Sequence, residues 1–513
     1  MLRFLIGSEG FQPLAQEQPE LPVPVEVQLP APVESIESVQ VQLPEPVEAV
    51  GWTLTQPWAT VLASLGILGA AILAFVATWL GRRQTEKHFT LSTRRDRFTT
   101  IAAQLADPSA AVRIAGVYAL EALADDWLTH SWYRLPHKRR IGRHEAQTCI
   151  DVLCSYLREP YEPSQEKRTP IKTIIREELS NRVVEEHHER RPDDSQVRQS
   201  ILRVIASHLQ STARTSWSRL DFDFTGAYLE NTNFRGCLFR GMTSFNRAQF
   251  HGEQTWFAAA EFHGESTRFD RTQFYGEQTW FAGTEFHSKT VSFTEARFYS
   301  AATWFNDAEF HSDTSFNEAQ FFGQATGFSR VRFHGGSTEF SEAQFHSETT
   351  RFDEAQFHGE VAAFNEAGFH SETTSFEATQ FQSETTSFHW ANFYGKTLTS
   401  FENAQFHGAE TAFVWAHFHS EYTSFRKAQF LSDITSFQLA EFESEDTAFH
   451  EAQFHSSVVD FSGPTAWRCV RVDWEWPLPS GWEGPAQAPQ PVGVIPEDWP
   501  PEVLVIKDVS VIE

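Results

Sequence analysis

Methionine and cysteine are almost missing from this chain, at 2 and 4 of 513 residues, and its 41 lysines and arginines fall far short of its 68 aspartates and glutamates. Each shortage excludes something. The cysteines stand at Cys149, Cys154, Cys237 and Cys469 with neither paired nor metal-ligand spacing, so no disulfide framework is expected and a reducing compartment fits. A formal charge of −27 argues against general nucleic-acid binding, which needs a basic surface. Most of that charge lies in residues 221–461, where 34 acidic side chains stand against 13 basic ones. Residues 94–212 lack a Gly-rich phosphate loop, a nucleophile elbow and a paired-Cys motif, so no cofactor and no catalytic residue is expected.

What the chain has instead is phenylalanine, 47 of them. From Phe245 to Phe461 a phrase of about twelve residues, Phe-x-x-Ala-x-Phe-His-Gly/Ser-x-x-Thr-x, recurs eighteen times. Its Phe residues, at 245 and 250, 257 and 262, and on to 449 and 454, alternate spacings of five and seven. Neither the 3.6-residue period of a helix nor the period of two of a simple strand fits this. A solenoid fits, because each coil stacks only on its neighbours. The residue two before each Phe is almost always small, such as Ala248 and Ala343 in one set and Thr255 and Thr350 in the other, so rings and small side chains share one interior. The varying positions show a doubled period: Trp256, Trp280 and Trp304 stand 24 apart, and Tyr275, Tyr299, Phe322 and Tyr394 fall in one alternate set of phrases. The other set carries His263, His287, His311, His334 and His358.

Just before the long phrases, Ala227-Tyr-Leu229, Thr232-Asn-Phe234 and Cys237-Leu-Phe239 run at strict five-residue spacing. Over residues 220–461 the chain resembles pentapeptide-repeat proteins. That resemblance implies a mainly β fold, a right-handed four-sided β-helix with the Leu/Phe and the small residue inside. The twelve-residue phrases imply sides of alternating five and seven residues. Ten coils at roughly 4.8 Å each would make a rod of about 45–50 Å.

In chain order, residues 1–57 form an acidic arm rich in Pro, Val, Glu and Gln, in which Gln42-Leu-Pro-Glu-Pro-Val-Glu48 echoes Gln28-Leu-Pro-Ala-Pro-Val-Glu34; it reads as extended and disordered. Residues 58–81 read as a transmembrane helix. Ala59 to Leu80 holds no charge and is long enough for the hydrocarbon core, with Trp58 and Trp79 where an aromatic belt would lie. Arg3 is the only basic residue in the arm, whereas Arg82, Arg83, Lys87, Arg94, Arg95 and Arg97 follow the span, which places the C-terminal bulk in the cytoplasm and the N-terminus outside. Ala59, Ala63, Gly66, Ala70, Ala74 and Ala77 form a small-residue seam that admits a homo-oligomer. Residues 82–212 read as a basic juxtamembrane segment and an α-helical adaptor, with helices over Phe98 to Ala106, Ser109 to Asp126, Ala146 to Leu157 and Ser195 to Leu209. Asp107 to Leu120 looks like one HEAT-type helical hairpin. Residues 213–461 are the β-helix, and 462–513 a Trp- and Pro-containing cap followed, from residue 483, by a loose tail.

Three functions from different classes fit. The favoured one is a membrane-anchored scaffold presenting a long acidic surface to a protein partner. A second is DNA mimicry towards topoisomerases, a property of some pentapeptide-repeat proteins that no matching motif carries here. The third, an enzyme on a β-helix, would need long irregular loops. The His column is read as outward surface and not as a metal-ligand set. The candidate interaction stripe is Trp256, Trp280, Trp304, Tyr275 and Tyr299.

Overall fold

A phenylalanine ring repeated every coil can satisfy its stacking preference only on a copy of itself, and this requirement sets the architecture. In the computed structural model, which describes residues 76, 96–129, 136–161, 194–474 and 489–504, four parallel sheets of 12, 10, 10 and 11 strands wind together as a β-solenoid of about ten turns. Strands of two or three residues pair strictly with the strand one coil away, as Gln278-Thr279-Trp280 does with Gln254–Trp256 and Ala302–Trp304. The chain visits the faces in a fixed order, seen in Thr243–Ser244, Gln249–His251, Gln254–Trp256 and Glu261–Phe262, before it returns to the first face at Ser266–Arg268. The cross-section is therefore four-sided, as the resemblance implies.

The first coil is built from fives, so Phe222 pairs with Thr243, 21 residues on; later coils take 24, as Thr243 with Thr267. The extra residues lie at the corners that follow the second Phe of each phrase. These corners also absorb the irregularities. One coil is a residue short, so Thr290 pairs with Asp313, and one is a residue long, so Thr373 pairs with Leu398. The ring stack continues through both, with Phe293 on Phe316 at 4.7 Å and Phe376 on Phe401 at 4.9 Å.

Inside, each Phe stacks on its counterparts one coil away and meets its neighbours edge-on. Phe352 lies parallel to Phe328 and Phe376 at 4.8 and 4.9 Å and perpendicular to Phe340 and Phe364 at 5.6 and 5.8 Å. Offset stacks and edge contacts are the favoured aromatic geometries, and this core is made of both. The turn after the first Phe of every phrase carries a residue with positive φ, from Arg247 (φ 56) to Glu451 (φ 58), and only one of these eighteen turns has glycine there, Gly283. Left-handed backbone costs an ordinary residue about 1–2 kcal/mol. Here hydrogen bonds on both sides hold it, as in Ala355 N to Phe352 O at 3.0 Å and Glu354 N to Glu377 O at 2.8 Å.

Among the described residues, three helices lie between a helical stretch at 96–105 and the solenoid: α1 (Ala110–Thr129), α2 (Pro136–Arg158) and α3 (Ser195–Leu209). Their apolar faces meet through Val117, Leu120 and Trp127 of α1, Ile150 and Leu153 of α2, and Ile201 and Ile205 of α3, all buried. Arg113, 3% exposed, crosses from α1 to Asp194 at the start of α3. The first coil would present a bare strand edge, but Gln147 of α2 donates to Asp221 O and accepts from Asp221 N, both at 2.8 Å. At the other end Trp467, Trp474 and Trp499 close edge-on over Phe442, Phe454 and Phe461.

One expectation needs correction. The stretch from residue 483 read as a loose tail includes Val494–Ile495, which pairs with Val459 and Asp460 as the last strand of the 12-stranded sheet, and Trp499, which packs on Phe461, Trp467 and Trp474. An unpaired last coil is an open sheet edge, and the returning chain covers it. The acidic arm and the Ala59 to Leu80 span lie outside the described residues, apart from Val76. Among the described residues no helix is long and apolar enough to cross a membrane. The chain divides into two units, Met1–Arg83 and Gln84–Glu513, and every element named above belongs to the second.

Candidate functional site

Because inward and outward positions alternate along each short strand, the residues flanking an inward Phe stand on the surface, and in-register pairing turns each such position into a column. The indoles of Trp256 and Trp280 stack at 5.2 Å with planes 6° apart, and Trp304 follows at 6.0 Å and 34°. All three are half-buried, and Trp256 and Trp280 donate their Nε1–H to Gln254 and Gln278 at 3.0 and 3.2 Å. The column ends where Gly327 pairs with Trp304: a Cβ on Gly327 would come within 2.6 Å of the indole. A glycine is what lets the last ring tilt down onto the backbone.

Tyr275 and Tyr299 lie on the preceding face, stacked on each other at 5.0 Å and 43% and 37% exposed. The five residues of the predicted stripe thus form two columns on adjoining faces, with no ring contact between the sets among the described residues. The tyrosines belong to a longer run of stacked rings: Tyr228, His251, Tyr275, Tyr299, Phe322, His346, His370, Tyr394 and His419, each 4.2–5.5 Å from the next. Its periodic part was visible in the sequence; that it joins imidazoles to phenols in one stack was not, because only cross-coil pairing brings them together. The second His set also stacks outward, His263 on His287 at 4.6 Å and His287 on His311 at 4.2 Å, each imidazole beside a glutamate two residues before it.

Sequence reasoning overlooked a cluster near the C-terminal end of the array. Trp390 and Trp415, both at positive-φ turns, stack at 4.7 Å beside His417, His419, Glu441 and Glu443. The signal was present: Phe418 alone among the second Phe residues of the phrases is flanked by His on both sides, and Phe442 alone by Glu on both sides. Burial holds the His417 imidazole below its ordinary range.

The remaining chemistry is quiet. Burial pushes the Cys149, Cys154 and Cys237 thiols up to about 12, so they stay protonated at neutral pH, and Cys469 is exposed and free. A polar groove of about 500 Å³ is lined by Asn246, Arg247, Asp270, Arg271 and Glu295. Its charges answer one another, Arg271 holding Glu295 through two hydrogen bonds of 2.6 and 2.9 Å.

A family model described as pentapeptide repeats (9 copies) matches residues 224–273, the strict fives and the first long phrases. That stretch is similar to pentapeptide repeats, and the four-sided solenoid it begins continues through the later phrases. No curated protein and no solved structure matches the chain. The HEAT likeness of the helical segment and the membrane anchor receive no support from these comparisons.

Proposed function

We propose that the chain is a single-pass, membrane-anchored scaffold whose cytoplasmic pentapeptide-repeat solenoid presents its outer faces to a protein partner. The observation that carries the scaffold reading is the outward column of stacked rings on one face of the solenoid, in which Tyr275, Tyr299 and Tyr394 stand exposed; exposed aromatic surface of that kind marks interaction sites. The anchor is supported by the uncharged run from Ala59 to Leu80 and by the basic residues that follow it. On this reading the arm before Gly51 lies outside the cell membrane.

The test uses the full chain in its own membranes. Alkaline carbonate should leave it in the pellet, and protease added to intact cells should shorten it from the N-terminus while sparing the repeats. Release by carbonate would overturn the anchor. Loss of the repeats to external protease would overturn the orientation.

A further inference from the structure

The two coils that break the repeat's rule lie one above the other. His417-Phe418-His419 directs both imidazoles outward while Phe418 is fully buried, and its strand pairs in register with Glu441–Phe442, so that His417 faces Glu441. His417 Nδ1 lies 3.0 Å from Glu441 Oε2, and His419 Nε2 lies 3.8 Å from the same oxygen. The other nitrogen of His419, Nδ1, lies 2.9 Å from Glu443. Everywhere else along this face the outward position before the Phe holds Gln, Arg, Gly, Asn or Glu, so no second pair of flanking imidazoles occurs on it.

We propose that His417, His419 and Glu441 form a binding site for one borderline divalent transition-metal ion of the Zn²⁺ class, with Glu443 as the residue that orients His419. The ligand atoms, one per residue, all lie within 4.8 Å of one another. A tetrahedral ion with bonds of about 2.0–2.1 Å sets its ligand atoms about 3.3 Å apart. The 3.0 and 3.8 Å separations bracket that value and no two ligand atoms lie more than 4.8 Å apart, so rotation of the rings about their side-chain bonds closes the site. An ionised carboxylate can only accept, so the Glu443 contact puts the proton of His419 on Nδ1 and leaves the Nε2 lone pair turned toward Glu441. That carboxylate–imidazole–metal relay is the usual support of a metal-bound histidine. The scaffold holds the rings beforehand: His419 stacks on Tyr394 at 4.8 Å and His417 sits 6.4 Å from the Trp390 ring. On binding, the ion takes the place of the proton between His417 Nδ1 and Glu441, and the neutral ring carries its one proton on Nε2 instead, so the imidazole stays neutral. Three protein ligands leave the fourth position to water.

The outward His stack at His263, His287 and His311 is the built-in control, because there each strand offers one imidazole and its carboxylate lies on the same strand. The experiment is a calorimetric titration of the full chain with Zn²⁺. The site predicts one saturable equivalent, loss of that equivalent in His417→Gln/His419→Gln, and retention in His287→Gln/His311→Gln. Glu443→Gln should bind about 10–100-fold more weakly. Wild-type binding in the His417→Gln/His419→Gln variant, or its loss in the His287→Gln/His311→Gln variant, would overturn the proposal. A measurement on the unaltered chain guards against a misfolded variant: Co²⁺ at one equivalent should show the intense visible absorption of a low-coordinate site, and only the weak octahedral spectrum would overturn it.

Discussion

Threonine two residues before a Phe was legible as a small inward residue; what its hydroxyl does was not. Thr267 Oγ1 lies 2.7 Å from Ser288 Oγ, Thr326 2.6 Å from Ser347 and Thr423 2.7 Å from Ser444, a ladder that joins each Thr to a Ser at the corner one coil on. Among the described residues, five of the nine buried hydroxyls without partners follow the same rule. Thr255, Thr338 and Thr374 face corners where Gly276, Gly359 and Gly395 stand in place of serine, while Ser312 and Ser383 face Val291 and Ala362 in place of threonine. The pairing spans 21 residues inside a 24-residue coil, so no count of repeats reveals it without knowing which corner lies over which strand. Thr267→Val would strand the Ser288 hydroxyl and should cost about 1–3 kcal/mol in denaturant unfolding. Thr255→Val removes an orphan instead and should be neutral or stabilising. The naturally occurring Val291, in register with Thr267, shows that the column accepts the shape. Equal losses from the two changes would mean that the ladder contributes nothing.

At the scale of elements, the solenoid and the helices were legible because each has a period, 24 residues or 3.6. The junction between them has none. His208 of α3 stacks on Trp217 at 4.0 Å, and Trp217 donates its Nε1–H to Asp125 of α1 at 2.9 Å, so one carboxylate ties the helices to the entry of the first coil. Burial alone would push the His208 pKa down, but contacts to Asp125 and the Val204 carbonyl, with the charge of Glu121, leave it raised above its ordinary value of 6.5. Burial also raises Glu121, which works in the same direction. A histidine raised on folding adds stability that is fully present below the unfolded pKa and is lost as pH rises through the folded one. Hydrogen exchange of α3, corrected for intrinsic rates, should therefore show weaker protection at about pH 8 than at about pH 6. His208→Gln should flatten that slope, and a variant that keeps it would assign the pH dependence elsewhere. The returning strand at Val494–Ile495 was illegible for a related reason: two residues among prolines carry no pattern, and pairing with the last coil is what makes them a strand.

For the whole molecule, the question is which surface column faces a partner, and exposure separates the candidates that spacing had grouped. The indoles of Trp280 and Trp304 are half-buried, stacked on their column and closed by Gly327, whereas the phenols of Tyr275 and Tyr299 stand 43% and 37% exposed. Ring stacks contribute about 0.5–1.5 kcal/mol each beyond area burial, so replacing Trp280 and Trp304 together by Ser should lower the melting temperature measurably. Tyr275→Ser with Tyr299→Ser removes the ring contacts to His251, between the two tyrosines and to Phe322, but the rings lost are the more exposed ones, so the change should move melting less than the tryptophan change and should weaken association with the partner or with a second copy. Both variants are to be measured for melting and for cross-linked association in the membrane. If the tyrosine variant associates as the unaltered chain does, its face is not the interface. If the tryptophan variant loses association while melting barely moves, the stack on that face serves recognition and the assignment of the two columns is reversed.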